Sequence, residues 1–338
     1  MPELNPQAQQ LAASLDALNA SGVVCHPAGL GLVRVAGDDA ASFLHTQLTN
    51  AVDDLEPGVA RLAGYCSPKG RLLATFLMWR DADGILLQLS AEIQAAVQKR
   101  LSMFVLRAKA KLSDITPTHA ILGLAGAGAA QALAAAGLPA PQTAFAVAEA
   151  DGATVIRLAD GAGHPRWQVV LPAERVDAVR SALGATLQDA PPALWDWLDV
   201  QAGLPRIVAA TQEQFVPQMI NFELVGGVNF RKGCYPGQEV VARSQYRGTL
   251  KRRMWLVQGE GEVPAPAAEI YRPEDPGQPC GMIVNAAPAP HGGWAGLAEL
   301  KIDAAGSALR LGSAEGMAVT TASLPYAVPI GEAAQAAS

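Results

Sequence analysis

Residues 231–243 read Arg-Lys-Gly-Cys-Tyr-Pro-Gly-Gln-Glu-Val-Val-Ala-Arg, and no other stretch of the chain concentrates as much chemistry. One cysteine, Cys234, stands between two glycines and directly after the cations Arg231 and Lys232, in a loop that leads into an apolar run. A thiolate, not a thiol, is the reactive form of cysteine, and nearby positive charge favours it. Gly233 and Gly237 allow unusual backbone angles and close approach of another molecule. The loop reads as a device for presenting one sulfur. Taken by itself, the same spacing also suits a tight turn around a buried, inert cysteine.

Working outward, the chain has 338 residues, half of them hydrophobic and 17% charged, which is enough for a sizeable core and two or three domains. The four cysteines, at 25, 66, 234 and 280, form no CxxC pair and no disulfide framework. The five histidines have no metal-ligand spacing with one another or with cysteine, so no stable metal is expected. No apolar run reaches the roughly 18 residues of a membrane span, and the amino-terminal stretch has no basic region followed by an apolar one. A cytoplasmic location is expected. The net charge of −6 disfavours a general nucleic-acid binder. Charge is nevertheless uneven: seven basic residues lie between Arg231 and Arg253 against one acid, Glu239.

The periodicity predicts a helix over 5–19, a strand at Leu30–Val35 and a helix from Gly37-Asp38-Asp39 to Leu48. Strands follow at Val59–Tyr65 and Leu72–Arg80 around the Ser67-Pro68-Lys69-Gly70 turn, then at Ile85–Leu89, with a helix to Val105. A second unit has strands at Ala120–Leu124, Thr154–Leu158 and Trp167–Val170, and helices over 125–137 and Glu174–Leu183. Ala193–Ala202 is a further helix, stopped by Gly203 and Pro205. After Arg253, short strands between Pro- and Gly-rich segments read as a small β-barrel. The order implies α+β layers rather than repeated βαβ units. Gly126-Ala127-Gly128 opens a helix after a strand, but Gln131 stands where a dinucleotide fingerprint needs its third glycine.

The cysteine loop belongs to a longer block that begins at Ala202-Gly203-Leu204-Pro205-Arg206 and runs through Asn221, Gly226-Gly227-Val228-Asn229-Phe230 and Tyr246-Arg247-Gly248. This block strongly resembles the YgfZ family of folate-binding proteins in iron–sulfur cluster assembly and repair. Lys232 through Glu239 match its signature Lys-Gly-Cys-Tyr-x-Gly-Gln-Glu at every fixed position, and the likeness extends to Phe43-Leu44-His45-Thr46-Gln47-Leu48-Thr49-Asn50. The family is related in fold to the glycine-cleavage aminomethyltransferase, the T-protein.

The resemblance implies an α+β, T-protein-like fold around a central folate cavity. Residues 1–250 would form the folate-binding region, as subdomains 1–116 plus 190–250 and 117–189. Residues 251–330 would form the barrel and 331–338 a flexible tail. It implies a functional thiol at Cys234, assisted by Lys232 and serving exchange with a partner protein or a cluster, with the loop as one wall of the cavity. Folate contacts would come from Trp195, Tyr235, Gln238, Arg243 and Arg247, with Trp197 turned away on the same helix. Glu239 would pair with Arg243, four residues on. At a second family tryptophan position this chain has Leu30. The implied cofactor is tetrahydrofolate, and the implied partners are iron–sulfur assembly proteins and client enzymes, including tRNA-modifying ones. The stretch Ser67–Ala74, where the T-protein carries the carboxylate that orients folate, contains no acid. An accessory factor is therefore expected ahead of a folate-dependent aminomethyl transferase, and direct tRNA binding through the Arg243–Arg253 cluster is the third reading.

Overall fold

A computed structural model describes residues 6–246 and 250–329. Arg247 and the expected tail at 331–338 lie outside the described residues.

The amino-terminal part builds a five-stranded antiparallel sheet in the order Ala60–Cys66, Leu72–Asp81, Gly84–Ser90, Leu30–Ala36, Lys111–Asp114. Leu72–Asp81 is an almost unbroken apolar run, and its first eight residues are buried, as a continuous rather than alternating pattern requires. A six-stranded sheet has the order Gln188–Asp189, Val23–Cys25, His119–Ala125, His164–Pro172, Ala153–Gly161, Val147–Ala150. Its chain path is not sequential, because Val23–Cys25 is inserted between His119–Ala125 and the short parallel partner Gln188–Asp189. From Arg252 onward six strands close into a barrel, with Ala318–Ala322 returning to pair with Arg252–Gly259. The expectation of an α+β fold with a carboxy-terminal barrel is borne out.

One large core joins the five-stranded sheet, the helix Pro192–Gln201 and the outward face of barrel strands, through Met254, Leu256 and Leu297. The barrel interior, with Val257, Ile283 and Leu300, is a core of its own. A second, smaller core lies on the opposite face of the six-stranded sheet. Strand His164–Pro172 separates the two by its period of two: Trp167, Val169 and Leu171 join the smaller core, and Val170 the larger. Among the described residues, no helix is long and apolar enough to cross a membrane.

The helix expected to reach Leu48 covers only Ala40–His45. Tertiary pairing overrides local propensity here: Leu48 bridges to Tyr65 at the edge of the sheet, and the Thr49 amide donates to the Gly64 carbonyl. The carbonyls released at the helix end matter for the site.

Candidate functional site

Between the two sheets lies a cavity of about 660 Å³, counting the space at its open mouth. Its walls are mostly apolar: Leu30, Leu62, Phe76, Leu77, Leu89, Phe145, Leu158 and Phe222, with the indole of Trp195. The lining, mostly apolar with a few convergent polar groups, is that of a small-molecule site. Five polar side chains reach it, Thr75, Gln88, Gln168, Asp199 and Arg206. Gln168 Nε2 donates across the gap to Gln88 Oε1 at 2.5 Å, joining the two sheets. That leaves the Gln88 amide nitrogen and the Gln168 oxygen without a bond among the described residues.

Trp195 is held from both sides. A β-carbon at Gly123 would lie only 2.5–2.9 Å from its ring atoms, so the indole rests flat on bare strand. The fully buried Arg166 guanidinium packs over the ring at 5.0 Å. Arg166 also donates to Asp199 at 2.7 Å and through Nε to the Ala159 carbonyl at 3.0 Å. Its Nη2 is buried without a partner, as is Nη1 of Arg206. Trp195 and Asp199 are four residues apart and share one helix face. Trp197 turns away into the core, whereas Leu30 does line the cavity.

Arg206 is fixed by the barrel. Its backbone N–H donates to Asn285 Oδ1 at 2.8 Å, and Asn285 Nδ2 donates back to its carbonyl at 2.9 Å. A strand irregularity between Ile283 and Asn285 aims this side chain outward. Asp196 and Asp199 line a neighbouring depression together with Asn285, and Arg206 lies 3.2 Å from Asp196. Burial pushes the Asp196 carboxyl up, opposed by the Arg206 charge.

The cysteine loop is elsewhere. None of Lys232, Cys234, Tyr235, Gln238 or Arg243 belongs to the cavity lining, so the loop is not a wall of this cavity. It is seated on the Ser67–Gly70 turn, where Gly237 (φ +80°) and Gly70 (φ +72°) interlock. A β-carbon at Gly237 would lie 2.4 Å from the Ser67 carbonyl oxygen and 2.6 Å from the Gly70 α-carbon. Cys234 is exposed, while Cys25, Cys66 and Cys280 are buried. Burial pushes the Cys66 thiol up to about 12.

Lys232 does not extend into solvent. Its ammonium donates to the carbonyls of His45 and, at 3.0 Å, Leu48, the groups released where the helix Ala40–His45 ends. A cation at a helix carboxy-terminus is favourably placed. It also sits 4.8 Å from the ring centre of the buried Tyr235. Burial lowers Lys232 to about 8, against the opposing pull of Asp53 and Cys234. Gln238 begins the helix Gln238–Tyr246 and reaches back to the Lys232 carbonyl at 3.5 Å.

Arg243 is exposed on that helix and, among the described residues, forms no ion pair with Glu239, although helical spacing brings the two to one face. Both side chains are solvated, and an exposed pair of this kind gains little. The basic run is also not one free surface. Arg253 is buried against Glu223, and Arg252 binds Glu299 at 2.7 Å. Among the described residues, no group of three or more His, Cys, Asp or Glu side chains is placed to hold a metal ion.

Comparison with known proteins agrees with this architecture. The family model described as the GCVT N-terminal domain matches residues 5–156. The chain is 35% identical over 242 residues to the tRNA-modifying protein YgfZ of Vibrio vulnificus (strain CMCP6), covering 71% of each. It is 31% identical over 299 residues to that of Edwardsiella ictaluri (strain 93-146), covering 87% of this chain and 89% of the relative. In three dimensions it resembles the glycine cleavage system aminomethyltransferase T of Bartonella henselae, with a TM-score of 0.77, 19% identity, and coverage of 97% and 91%. That likeness speaks for the fold alone. At this level of identity and coverage, the chain belongs to the YgfZ family.

Proposed function

We propose that this protein binds tetrahydrofolate in the central cavity and acts as a cytoplasmic accessory factor for iron–sulfur cluster assembly or repair, with Cys234 as its working thiol. The observation that carries the reading is the cavity itself: apolar walls that include the indole of Trp195, and a small polar set, Gln88, Gln168, Asp199 and Arg206, reaching the same space. A pterin is a flat ring with a donor and acceptor edge. The open amide positions of the two glutamines and the carboxylate of Asp199 suit that edge, and the unpartnered Arg206 Nη1 offers a donor for an acidic group. Trp195 is the folate contact in this reading. Tyr235, Gln238 and Arg243 serve the thiol loop instead.

In this proposal residues 1–116 with 190–250, and 117–189, make the two folate-binding subdomains, and 251–330 the barrel. The relatives are named tRNA-modifying proteins, which fits a factor whose client enzymes modify tRNA. The alternatives draw less support. The Ser67–Gly70 turn is engaged by Gly237 and offers no carboxylate for aminomethyl transfer. Arg252 and Arg253 are committed to ion pairs rather than free for phosphate.

Calorimetric titration with tetrahydrofolate tests the ligand. One saturable site is expected, with affinity at least about tenfold weaker in Leu77→Trp, which fills the cavity. Absence of binding, or equal affinity in the variant, rejects the folate site. In cells relying on Cys234→Ala, undiminished cluster-dependent enzyme activity would reject the thiol role.

A further inference from the structure

The connection between the helix Ala91–Ser102 and the strand Lys111–Asp114 is built inside out. Met103, Phe104 and Leu106 are 60, 47 and 86% exposed, while the smaller Val105, Ala108 and Ala110 of the same segment pack against the large core. Folding alone would bury the larger side chains, because the gain on burial grows with apolar area. Single exposed apolar residues are ordinary, but three within four positions make a patch. The turn is also braced. The amides of Met103, Phe104 and Val105 donate to the carbonyls of Lys99, Leu101 and Ser102 at 3.2, 3.0 and 3.3 Å, and the Lys109 N–H donates to Asp39 Oδ2 at 2.7 Å. Leu106 stands at φ +46°, a left-handed conformation that leucine seldom adopts and asparagine tolerates.

The rim of the patch is cationic. Lys99, Arg100, Arg107, Lys109 and Lys111 flank it, and no acid lies between Glu92 and Asp114 in the sequence. Arg100 is turned to Tyr65, and Lys109 pairs with Asp38 at 3.3 Å. Lys99, Arg107 and Lys111 are exposed and form no ion pair among the described residues. An apolar knob ringed by free cations is complementary to an apolar pocket ringed by carboxylates. The whole chain carries a charge of −6, so an anionic bilayer, broad enough to meet its acidic remainder, is the poorer match.

The patch is tied to the cysteine loop. The Asp39 amide donates to the Lys109 carbonyl at 3.1 Å, and Asp39 directly precedes the helix Ala40–His45. At the other end of that helix the His45 carbonyl holds Lys232, two residues before Cys234. Six helical residues span about 9 Å, whereas a standard interface of about 800 Å² per partner is roughly 30 Å across. One partner can cover both. We propose that the Met103–Leu106 turn docks an acidic protein and brings its surface to Cys234. The inference rests on the reading of Cys234 as a thiol that serves partners. Phe104 and Leu106 are the anchors, and Lys99, Arg107 and Lys111 supply the charge match.

The test places the photo-cross-linker p-benzoylphenylalanine at position 104 of the full chain in cells, with products identified by mass spectrometry. One recurrent acidic protein is expected, and the double variant Arg107→Glu, Lys111→Glu should lower its yield about tenfold. Leu106→Asn removes the apolar side chain and suits the local φ, so the fold is kept. In cells relying on it, cluster-dependent enzyme activity should fall about fivefold. The purified variant should bind tetrahydrofolate as before and react with iodoacetamide at Cys234 at an unchanged rate; burial of the other three cysteines keeps that alkylation single-sited. Full enzyme activity with Leu106→Asn, where Cys234→Ala abolishes it, overturns the proposal. If Cys234→Ala is silent as well, the thiol reading has failed and this inference falls with it. Cross-linking indifferent to the charge reversal also overturns it. So does adsorption to phosphatidylglycerol vesicles, or self-association of the unmodified protein, that Leu106→Asn abolishes.

Discussion

The cavity and the cysteine loop are built on opposite principles. The cavity is assembled from buried side chains of both sheets, a helix and a barrel-anchored segment, and its polar groups are few and tightly placed. The loop places its sulfur in solvent and spends its buried contacts on anchorage, through Lys232, Tyr235 and Gly237. A walled apolar site suits a small molecule that must be desolvated, whereas an exposed thiol on a braced loop suits a reactant delivered by another macromolecule. The comparison argues for two tasks in one chain, joined by shared supports such as Phe222, which lines the cavity and packs its ring on Gly227.

The sharpest way to break this comparison is Cys234→Ala. It should abolish alkylation and any thiol-dependent support of client enzymes. Folate affinity should stay unchanged, and stability within about 0.5 kcal/mol, as for a surface change. Loss of folate binding in that variant would make loop and cavity one site. Next in size is Gly237→Ala, which combines a disfavoured φ with a backbone clash and should destabilise by about 2–4 kcal/mol in denaturant titration. Gly123→Ala attacks the other region by pushing on the indole of Trp195. We expect about 1–3 kcal/mol of overpacking cost and weaker folate binding at an unaltered alkylation rate.

The smallest effect concerns Lys232. Burial holds its folded value near 8, below its ordinary 10.5. Between those values the unfolded chain binds a proton that the folded chain lacks, so this group makes stability rise with pH from about 8 to about 10.5. Below about 8 both states are protonated and the desolvation cost is constant. Comparing denaturant midpoints near pH 7.5 and pH 10 should show a rise that Lys232→Met lacks. Its size should be about 1 kcal/mol, once the half-exposed side chain is discounted for solvent screening.

Much of the fold was legible because long elements carry clear periods: the apolar run Leu72–Asp81 and the stop at Gly203 need no tertiary information. The strands Val23–Cys25, Val147–Ala150 and Gln188–Asp189 went unread because two to four residues carry no period, and only pairing across the sheet makes them strands. Lys232 was read as an electrostatic helper of the sulfur, while its ammonium is first a cap for helix carbonyls. Among the cavity residues Trp195 was legible, but Gln168 and Asp199 were not, nor was Arg166 packed over the indole. A signal existed: Arg166 and Gln168 alternate with Trp167 and Val169, putting two polar groups on one face of an otherwise apolar central strand. Asp199 lies one helical turn from Trp195. Gln88 and Arg206 converge with them only through the packing of separate elements.

The clamp between Asn285 and the backbone of Arg206 has a consequence for synthesis on the ribosome. Every other named wall of the cavity has been made by residue 222, yet the segment that carries Arg206 gains its two-point anchor only when the barrel strand Gly281–Pro288 emerges. A third tie, from the Tyr326 hydroxyl to the Gly203 carbonyl at 2.9 Å, comes later still. A nascent chain therefore holds an unfinished, apolar-walled cleft while the barrel from Arg252 onward is being made, and the proposed ligand is expected to bind only once the barrel is complete.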